Sequence, residues 1–456
     1  MNDVHISSRR AAWEVLNQFD VKKQNANPLI EKISKKTDNR AALVDIALGV
    51  IRNSIFIDNL IAVCSGRAIK NIQPKILNCL RIAVYEIIFT EQAQYAIVNE
   101  AVELTKKAIS KKSSGFTNAI LRKVIGSIKN KNADLSIADS KKTLPINDSI
   151  GCEFNIDILA DEKNQQSEYL SGAFSLPKWF VEEIIDQFGY HKAKNICFAS
   201  NRRPSIYARV NLLKTSAQEL VDILKMQQVD CELTENKKMV KLNKSGNIAE
   251  LESFKAGLFT IQDLTAYNVG AILNPQAGWK IFDICSAPGT KTTEIAEMMG
   301  DKGVIIATDK DDTRLQKVFE NVSRLKLNCI KILTYDDFLK QAKQFENVEA
   351  VLIDVPCSNT GVLARRPEVR FRLNKKQVEQ IAQTQLEILK LAASFINKGG
   401  KICYSTCSIL KQENSCVVAQ FLAQEKEFKL IVEKIFLPQV GNFDCDGGYA
   451  AVLEKI

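Results

Sequence analysis

Two cysteines stand where a thiol could act as a nucleophile. Cys357 follows a proline in the stretch IDVPCSNTGV, and Cys407 lies in the later stretch CYSTCSIL. Each comes directly after a short apolar run typical of a strand, and parallel strands end at the same edge of a sheet. A lone cysteine after a strand is most often a packing residue, but two at one edge favour chemistry. Cys403, inside a strand, and Cys416, inside a helix, are expected to be packing residues.

A reactive thiolate suits methyl transfer to a carbon that has no lone pair of its own. An exocyclic amine can attack a methyl sulfonium directly, whereas C5 of a pyrimidine cannot. A thiolate that adds to C6 turns C5 into the nucleophilic end of an enamine, and loss of the C5 proton later expels the sulfur. The residues therefore favour C5 methylation, and their spacing leaves open which of the two thiols attacks.

The loop DICSAPGTK, which runs from Asp283 to Lys291, is the candidate cofactor site. It follows a predicted strand, and Pro288 and Gly289 form a tight turn before a helix whose N-terminal amides would face a ligand. The loop matches neither the phosphate-binding loop of ATP enzymes nor the glycine fingerprint of dinucleotide enzymes. ATP and NAD are therefore not its natural ligands.

Carboxylates recur at the ends of successive predicted strands, at Asp283, Asp309, Asp336 and Asp354. A single aspartate in such a place is more often a helix cap, but the repetition favours a site. Asp309 is placed to accept both hydrogen bonds from a ribose diol, and Asp336 falls where an adenine would lie. A hydroxyl-rich ribose and a cation occur together in S-adenosylmethionine, which is the expected cofactor.

The elements that position these residues predict a multidomain fold. Beyond residue 258, short apolar strands alternate with amphipathic helices, which predicts an α/β Rossmann-like domain over 258–456. Residues 175–257 alternate like a small α+β intermediate domain. The polar stretch 131–174 has no sustained period and is expected to be a linker. Apolar stripes of helical period over 1–130 predict an all-α bundle.

Composition indicates the kind of partner and the cellular compartment to expect. Residues 1–150 hold 23 basic and 14 acidic residues, and hence the whole net charge of +9, so a polyanion is expected to bind there unless this is only a solvated basic face. The start has no apolar signal core and no run is long enough to span a membrane, so the expected location is the cytoplasm, with all twelve cysteines as thiols. The only histidines, His5 and His191, lie away from the motifs, and neither a metal site nor histidine catalysis is expected.

Four segments resemble the bacterial and eukaryotic RNA cytosine-C5 methyltransferases: DICSAPGTKT, LIDVPCSNTG, RRPEVRFRL and YSTCSILKQEN. The helical third, with RIAVYEIIF, YAIVNEAVELTKKA and GFTNAILRKV, resembles the NusB-like RNA-binding domain of the RsmB/Sun (Fmu) branch. That branch methylates a cytosine of 16S ribosomal RNA. The resemblance thus implies a NusB-like N-terminal domain, an S-adenosylmethionine-dependent catalytic domain and 16S rRNA as partner, in an unassembled or partly assembled small subunit, for a monomeric protein with no membrane or metal.

The resemblance also assigns roles to the two thiols. In this RNA family the nucleophile lies in the TCS stretch, here Cys407, and the cysteine after proline, here Cys357, assists release of the methylated base. Cytosine-C5 DNA methyltransferases instead attack with the cysteine after proline. Asp354 is implied to approach both the base and the cofactor. The other implied cofactor contacts are Cys285, Ser286, Ala287, Pro288, Gly289, Thr290, Lys291, Asp309 and Asp336.

Basic residues in two places are candidate contacts for RNA phosphates. One group follows the Pro-Cys loop and is expected near the catalytic edge: Arg365, Arg366, Arg370 and Arg372. The other ends a helix of the N-terminal third: Lys106, Lys107, Lys111 and Lys112. Because C5 must be freed from the base stack, single-stranded or loop RNA is the expected substrate.

Three departures from the family pattern leave alternatives open. Thr290 stands where a second glycine is usual and would be strained if its φ were positive. Asn359 replaces a small residue, although asparagine tolerates the left-handed region. The stretch ARRPEVRF lacks a histidine often seen after the two arginines. The alternatives are C5 methylation of another RNA such as tRNA, and a non-catalytic RNA-binding assembly factor, for which Thr290 and Asn359 are the only hints.

Overall fold

The computed structural model describes residues 5–20, 25–244 and 246–456. They fall into two compact units. One, the helical unit, comprises Met1–Arg202 together with Leu363–Leu373, and the other, the sheet unit, comprises Arg203–Val362 together with Asn374–Ile456.

The helical unit begins with the predicted all-α bundle. Its helices are α1 (Ser8–Gln18), α2 (Ala26–Ser34), α3 (Arg40–Arg52), α4 (Ser54–Ser65), α5 (Pro74–Phe89), α6 (Gln94–Ala108) and α7 (Lys111–Ser127). Helix α5 begins with Pro74 at its first position, where the missing N–H costs nothing, and nearly all of its later residues are buried. One of them, Glu86, is 1% exposed and is paired with Arg9 of α1 at 2.6 Å. The bundle packs around α5, as its apolar stripe indicates.

The stretch 131–174 is folded, and the expectation of a linker is wrong. Its strands β1 (Ile128–Asp134), β2 (Thr143–Pro145) and β3 (Ile150–Phe154) form an antiparallel sheet in the order β1-β3-β2, followed by helix α8 (Gln166–Phe174). Leu144, Cys152 and Phe154 are buried in the same core as the helices. The strands are short and their outer residues polar, so too few apolar positions recur to reveal a period.

Two further helices, α9 (Lys178–Phe188) and α10 (Tyr190–Asn201), complete the helical unit. The sequence placed them at the start of the intermediate domain, whereas the structure divides the chain after Arg202. The helices bury their apolar faces against α8, where the rings of Phe174 and Phe198 meet edge to face with centroids 4.7 Å apart. The two helices therefore pack with the helical unit.

A small antiparallel sheet opens the sheet unit. Its elements are β4 (Ile206–Val210), α11 (Ala217–Met226), β5 (Asp230–Leu233), β6 (Met239–Lys244), α12 (Glu252–Lys255) and β7 (Phe259–Ile261). The strand order is β5-β6-β4-β7. Helix α11 begins at a capping box in which Ser216 and Glu219 satisfy each other's backbone N–H groups. This is the predicted α+β arrangement.

The rest of the sheet unit is the predicted Rossmann-like domain. Its elements are α13 (Leu264–Leu273), β8 (Lys280–Asp283), α14 (Thr290–Met298), β9 (Val304–Ala307), α15 (Asp312–Leu325), β10 (Ile330–Ile332), α16 (Tyr335–Gln341), β11 (Ala350–Asp354), α17 (Lys375–Ala393), β12 (Lys401–Thr406), α18 (Ser415–Gln424), β13 (Phe428–Phe436) and β14 (Gly448–Lys455). The strand order is β10-β9-β8-β11-β12-β14-β13, with the first five strands parallel and the last two antiparallel. A predicted parallel sheet is thus extended by an antiparallel hairpin.

Strand register brings the candidate residues to one edge of this sheet. Asp354 pairs with Ser405 across β11 and β12, and Leu352 pairs with Asp283 across β11 and β8. The carboxyl ends of all three strands therefore lie side by side, which is where ligands bind in open parallel sheets.

No single helix in the described ranges is long and apolar enough to cross a membrane. Helices α3 and α4 reach the required length and hydropathy only when they are taken together, and the chain bends by 74° between them. Both helices contribute buried side chains to the core of the helical unit.

The segment Leu363–Leu373 is anchored in the helical unit by a buried arginine. The Arg370 guanidinium is 2% exposed and donates to the carbonyl oxygens of Arg52 at 2.8 Å and Phe174 at 3.0 Å. It also donates to the carbonyl of Ser200 at 3.1 Å and to the side chain of Asn201 at 2.9 Å. Burial lowers its pKa to about 9, which still leaves the group charged at neutral pH. Arg370 thereby joins the ends of three helices.

We expect Arg370→Lys to destabilise the helical unit by about 2–4 kcal/mol, because one ammonium cannot reach all of these acceptors and buried carbonyls lose their donors. Urea unfolding would be followed by the fluorescence of Trp179, whose indole N–H donates to the carbonyl of Leu373, in a full-length protein in which Trp13 and Trp279 are replaced by phenylalanine. Arg366, in the same segment, is exposed, so Arg366→Lys serves as the control and should change the free energy of unfolding by about 0.5 kcal/mol or less. Equal unfolding midpoints for the two variants would contradict the anchoring role.

Candidate active site

The two thiols form one group at the edge of the sheet. The Sγ atoms of Cys357, after β11, and Cys407, after β12, lie 3.0 Å apart. Cys407 Sγ also lies 3.2 Å from Oδ1 of Asn359, whose amide N–H donates to the carbonyl of Cys357 at 2.9 Å. Asn359 has a φ of 60°, which asparagine tolerates better than most residues. The unusual residue at 359 thus contacts both cysteines.

The surroundings of Cys357 favour its protonated form. The pKa of Cys357 is raised well above its usual value, first by its hydrogen bond to Cys407, then by burial and by the charges of Cys407 and Glu413. Cys357 therefore remains a thiol at neutral pH and can donate its proton toward Cys407.

The two cysteines that were expected to be packing residues have different outcomes: Cys403 is fully buried, whereas Cys416 is exposed on α18.

A lysine and an aspartate lie beside the thiols. Lys291 Nζ is 2.6 Å from Oδ2 of Asp354, and Asp354 Oδ1 accepts from the Ser405 hydroxyl at 2.8 Å. Burial would lower the pKa of Lys291, but Asp354, Cys407 and Glu294 together raise it above its usual value. A permanent cation therefore lies close to Cys407. Asp354 keeps a third of its side chain exposed, so it can still accept a hydrogen bond from a ligand.

The cofactor loop Cys285–Lys291 is held against α15. Arg314 donates to the carbonyl of Ala287 at 2.9 Å, and Asn321 donates to that of Pro288 at 3.0 Å. Gly289 has a φ of +96°, and a Cβ there would lie 3.2 Å from Val318, so both conformation and space require glycine. Thr290 begins α14 outside the left-handed region, so the strain considered for it does not arise.

Asp283 is buried at the base of this loop with half of its carboxylate unused. Its Oδ2 accepts from the Thr292 hydroxyl at 2.6 Å, while its Oδ1 has no hydrogen-bond partner among the described residues. The Ser286 hydroxyl of the same loop is also buried and has no hydrogen-bond partner in the described part of the chain. Burial, together with repulsion from Asp354 and Asp309, raises the pKa of Asp283 to about 7. Buried polar atoms are nearly always paired, so these two atoms are available for hydrogen bonds to a ligand at this edge.

The other predicted cofactor residues lie along the same edge. Asp309 is 5% exposed and accepts from the backbone N–H groups of Ala287 and Asp311, each at 3.1 Å. A carboxylate can accept about four hydrogen bonds, so Asp309 retains capacity for a diol. Asp336 is exposed in the first turn of α16. Burial raises the pKa of Cys285 and keeps it a thiol. Sequence reasoning counted Asp283 among the strand-end carboxylates but did not assign it a cofactor contact.

The candidate phosphate contacts separate into reachable and unreachable residues. Arg370 was expected to pair with phosphates, but its guanidinium is buried and its N–H groups face protein carbonyls, so the structure contradicts that role. Arg372 donates to Asn25 at 3.0 Å, Arg365 is half-buried and Arg366 is exposed. The remaining candidates are exposed at the end of α6 and the start of α7: Lys106, Lys107, Lys111 and Lys112.

Comparison with known proteins covers most of the chain. Residues 270–447 match the family described as 16S rRNA methyltransferase RsmB/F, residues 6–126 match the NusB family, and residues 176–249 match the ferredoxin-like domain of RsmF/B-like methyltransferases. In solved structures, the crystal structure of PH0851 superposes with a TM-score of 0.74 at 24% identity over 98% of each chain. NSun6 from Pyrococcus horikoshii, crystallised with SFG, superposes with a TM-score of 0.53 at 22% identity, over 61% of this chain and 98% of its own.

A curated relative decides the family. The "Probable ribosomal RNA small subunit methyltransferase B" of Synechocystis is 30% identical over 93% of this chain and 91% of its own length. The three matched domains follow one another here in the order NusB, ferredoxin-like and methyltransferase. Full-length similarity and this shared order lead to one conclusion: the chain belongs to the RsmB/F family of S-adenosylmethionine-dependent ribosomal RNA methyltransferases.

Proposed function

We propose that this protein methylates C5 of a cytosine in 16S rRNA through a covalent bond between Cys407 and C6 of the base. The observation that carries the proposal is the pair of thiols 3.0 Å apart beside the Lys291–Asp354 ion pair. An enzyme that methylates an amine has no use for a thiol there, because the amine supplies its own electron pair. The relatives are named for the small ribosomal subunit, which supports 16S rRNA over tRNA as the substrate.

The residues at the edge of the sheet suit S-adenosylmethionine, which when bound supplies the methyl group. The unpaired Oδ1 of Asp283 is suited to the ammonium of the amino-acid part, and Asp309 retains acceptor capacity for the ribose. The loop Cys285–Lys291 and Asp336 would complete the contacts. The solved relative that contains SFG, an analogue of this cofactor, supports the assignment.

The chain's own residues account for bond formation at C6. Cys407 attacks as a thiolate, with the Lys291 ammonium nearby. The new bond between sulfur and C6 moves the electron pair of the C5–C6 double bond onto C5, which becomes the nucleophile. Asp354 is suited to accept a hydrogen bond from the exocyclic amine of the cytosine and so to orient the ring.

Release of the product breaks the bond between the Cys407 sulfur and C6. A base removes the C5 proton, the electron pair restores the C5–C6 double bond, and Cys407 departs as a thiolate. Cys357 is a thiol with its sulfur 3.0 Å from that of Cys407, so it can donate a hydrogen bond to the departing sulfur. A role in release therefore suits Cys357 better than a role in attack.

The substrate is RNA in which the target base is free of its stack. The exposed lysines of α6 and α7 supply positive charge for the phosphate backbone, and Arg366 adds to it from its own segment. The contacts of Asn359 with both cysteines, and the relaxed backbone at Thr290, favour an active enzyme over a non-catalytic assembly factor.

Incubation of Cys357→Ala with 16S rRNA and S-adenosylmethionine is expected to give a covalent RNA adduct on a denaturing gel, because the adduct forms but is released slowly. Cys407→Ala is expected to give none. Cys403→Ala, a buried cysteine in β12, serves as the matched control and should turn over without an accumulated adduct. An adduct with Cys407→Ala alone would exchange the roles of the two thiols.

Cofactor binding is expected to release protons near neutral pH. The pKa of Asp283 is about 7 in the free protein, and a bound ammonium favours the ionised carboxylate, so affinity should rise with pH through 7 and fall by up to about tenfold for each unit below it. The charged groups that face Asp283 are Asp309, Asp354 and Lys291.

Titration calorimetry at pH 7 in phosphate and in Tris should give binding enthalpies that differ by the heat of the released protons. The Asp283→Asn variant should lose that difference. A difference of the same size in both proteins would assign the proton to another group.

A further inference from the structure

Glu413 is a buried carboxylate for which the proposed chemistry has no use. It ends the short turn Lys411–Glu413 after the TCS stretch and is fully buried. Its Oε1 accepts from the backbone N–H of Ser358 at 2.7 Å and from the side-chain amide of Gln385 at 3.3 Å. Its Oε2 accepts from the hydroxyls of Ser358 and Ser408. The carboxylate thus has four donors, which fill its acceptor positions.

The donors come from both cysteine loops. Ser358 directly follows Cys357, and Ser408 directly follows Cys407. Gln385, on α17, uses the same amide to donate to the carbonyl of Pro356 at 2.9 Å, on the other side of Cys357. One carboxylate therefore holds both loops at positions adjacent to their thiols.

We propose that Glu413 is a positioning residue for methyl transfer, whose carboxylate sets the separation of the Cys357 and Cys407 sulfurs by holding Ser358 and Ser408. This role rests on the proposed function, in which Cys407 attacks the base and Cys357 assists its release. Bonds to a charged acceptor are about twice as strong as neutral ones and are well suited to fix two loops at once.

The charge of Glu413 has a second effect on the pair. A buried negative charge opposes a second one nearby, and Glu413 contributes to the raised pKa of Cys357. Burial raises the pKa of Glu413 itself, and the hydrogen bonds from Ser358, Ser408 and Gln385 oppose that rise. The Glu413 carboxylate therefore favours the protonated form of Cys357, which is the form that a role in release requires.

The variant Glu413→Gln keeps the volume, removes the charge and turns one acceptor into a donor that faces hydroxyls. Alkylation of Cys357 by iodoacetamide, followed by mass spectrometry on the full chain between pH 7 and 10, should become about tenfold faster, the equivalent of one pKa unit. The kcat for methyl transfer should fall by about tenfold or more while KM for S-adenosylmethionine stays the same. Alkylation and kcat both within about twofold of the parent protein would overturn the proposal.

Two sets of controls separate positioning from general damage. Glu387→Gln, on an exposed position of α17, should leave both readings unchanged. Ser358→Ala and Ser408→Ala each remove one donor and keep the charge, so each should lower kcat without the faster alkylation of Cys357. They also serve as the test if Glu413→Gln fails to fold, and normal kcat in both would overturn the positioning role.

The alkylation reading needs neither RNA nor cofactor, so it distinguishes the two proposals. A parent protein that methylates C5, together with unchanged alkylation and kcat in Glu413→Gln, would overturn the role of Glu413 alone. Faster alkylation in a protein that methylates no cytosine would support the effect of the Glu413 charge on Cys357 and overturn the proposed use of the two sulfurs.

Discussion

Parallel pairing of β11 with β12 is the interaction on which the candidate site depends. It sets Asp354 opposite Ser405, and the segments that follow the two strands leave the sheet side by side. The sulfurs of Cys357 and Cys407 therefore lie 3.0 Å apart although fifty residues separate them in the sequence. A slip of one residue would turn every side chain of a strand to the opposite face and part the thiols. On the other side of β11, β8 brings Asp283 and the cofactor loop to the same edge.

Charge at this edge is balanced for a ligand that carries its own cation. Asp283, Asp309 and Asp354 lie near two cations that are already engaged: Lys291 is bound to Asp354, and Arg314 lies 3.7 Å from Asp309. Asp309 is satisfied in part by backbone N–H groups, which leaves Asp283 with an unpaired oxygen and a raised pKa. A neutral ligand would bury that carboxylate uncompensated, whereas a ligand with an ammonium group would pair it. Selectivity for a cofactor that carries an ammonium group can thus arise because Asp283 has no cationic partner of its own in the described part of the free protein.

Local patterns in the sequence predicted the parts of the structure that local chemistry determines. Apolar strands followed by aspartates or cysteines predicted the sheet and its active edge, and the proline and glycine of the cofactor loop predicted its turn. Strands of three to seven residues with polar outer faces gave no period, and the stretch 131–174 was therefore taken for a linker. Arg370 looked like a phosphate ligand because its acceptors, such as the carbonyl of Arg52, lie more than three hundred residues away.

Glu413 illustrates the same limit within the active edge. Its partner Ser408 is local, but Ser358 and Gln385 reach it only after β11, β12 and α17 have packed. Once they have, the four donors restrict the choice of side chain: an amide offers one acceptor atom in place of two, and aspartate is shorter by one methylene. A fully buried negative charge is costly, yet here each of its hydrogen bonds fixes part of a loop that carries a reactive sulfur. The same packing that makes this charge expensive to bury therefore makes it effective at holding the two thiols together.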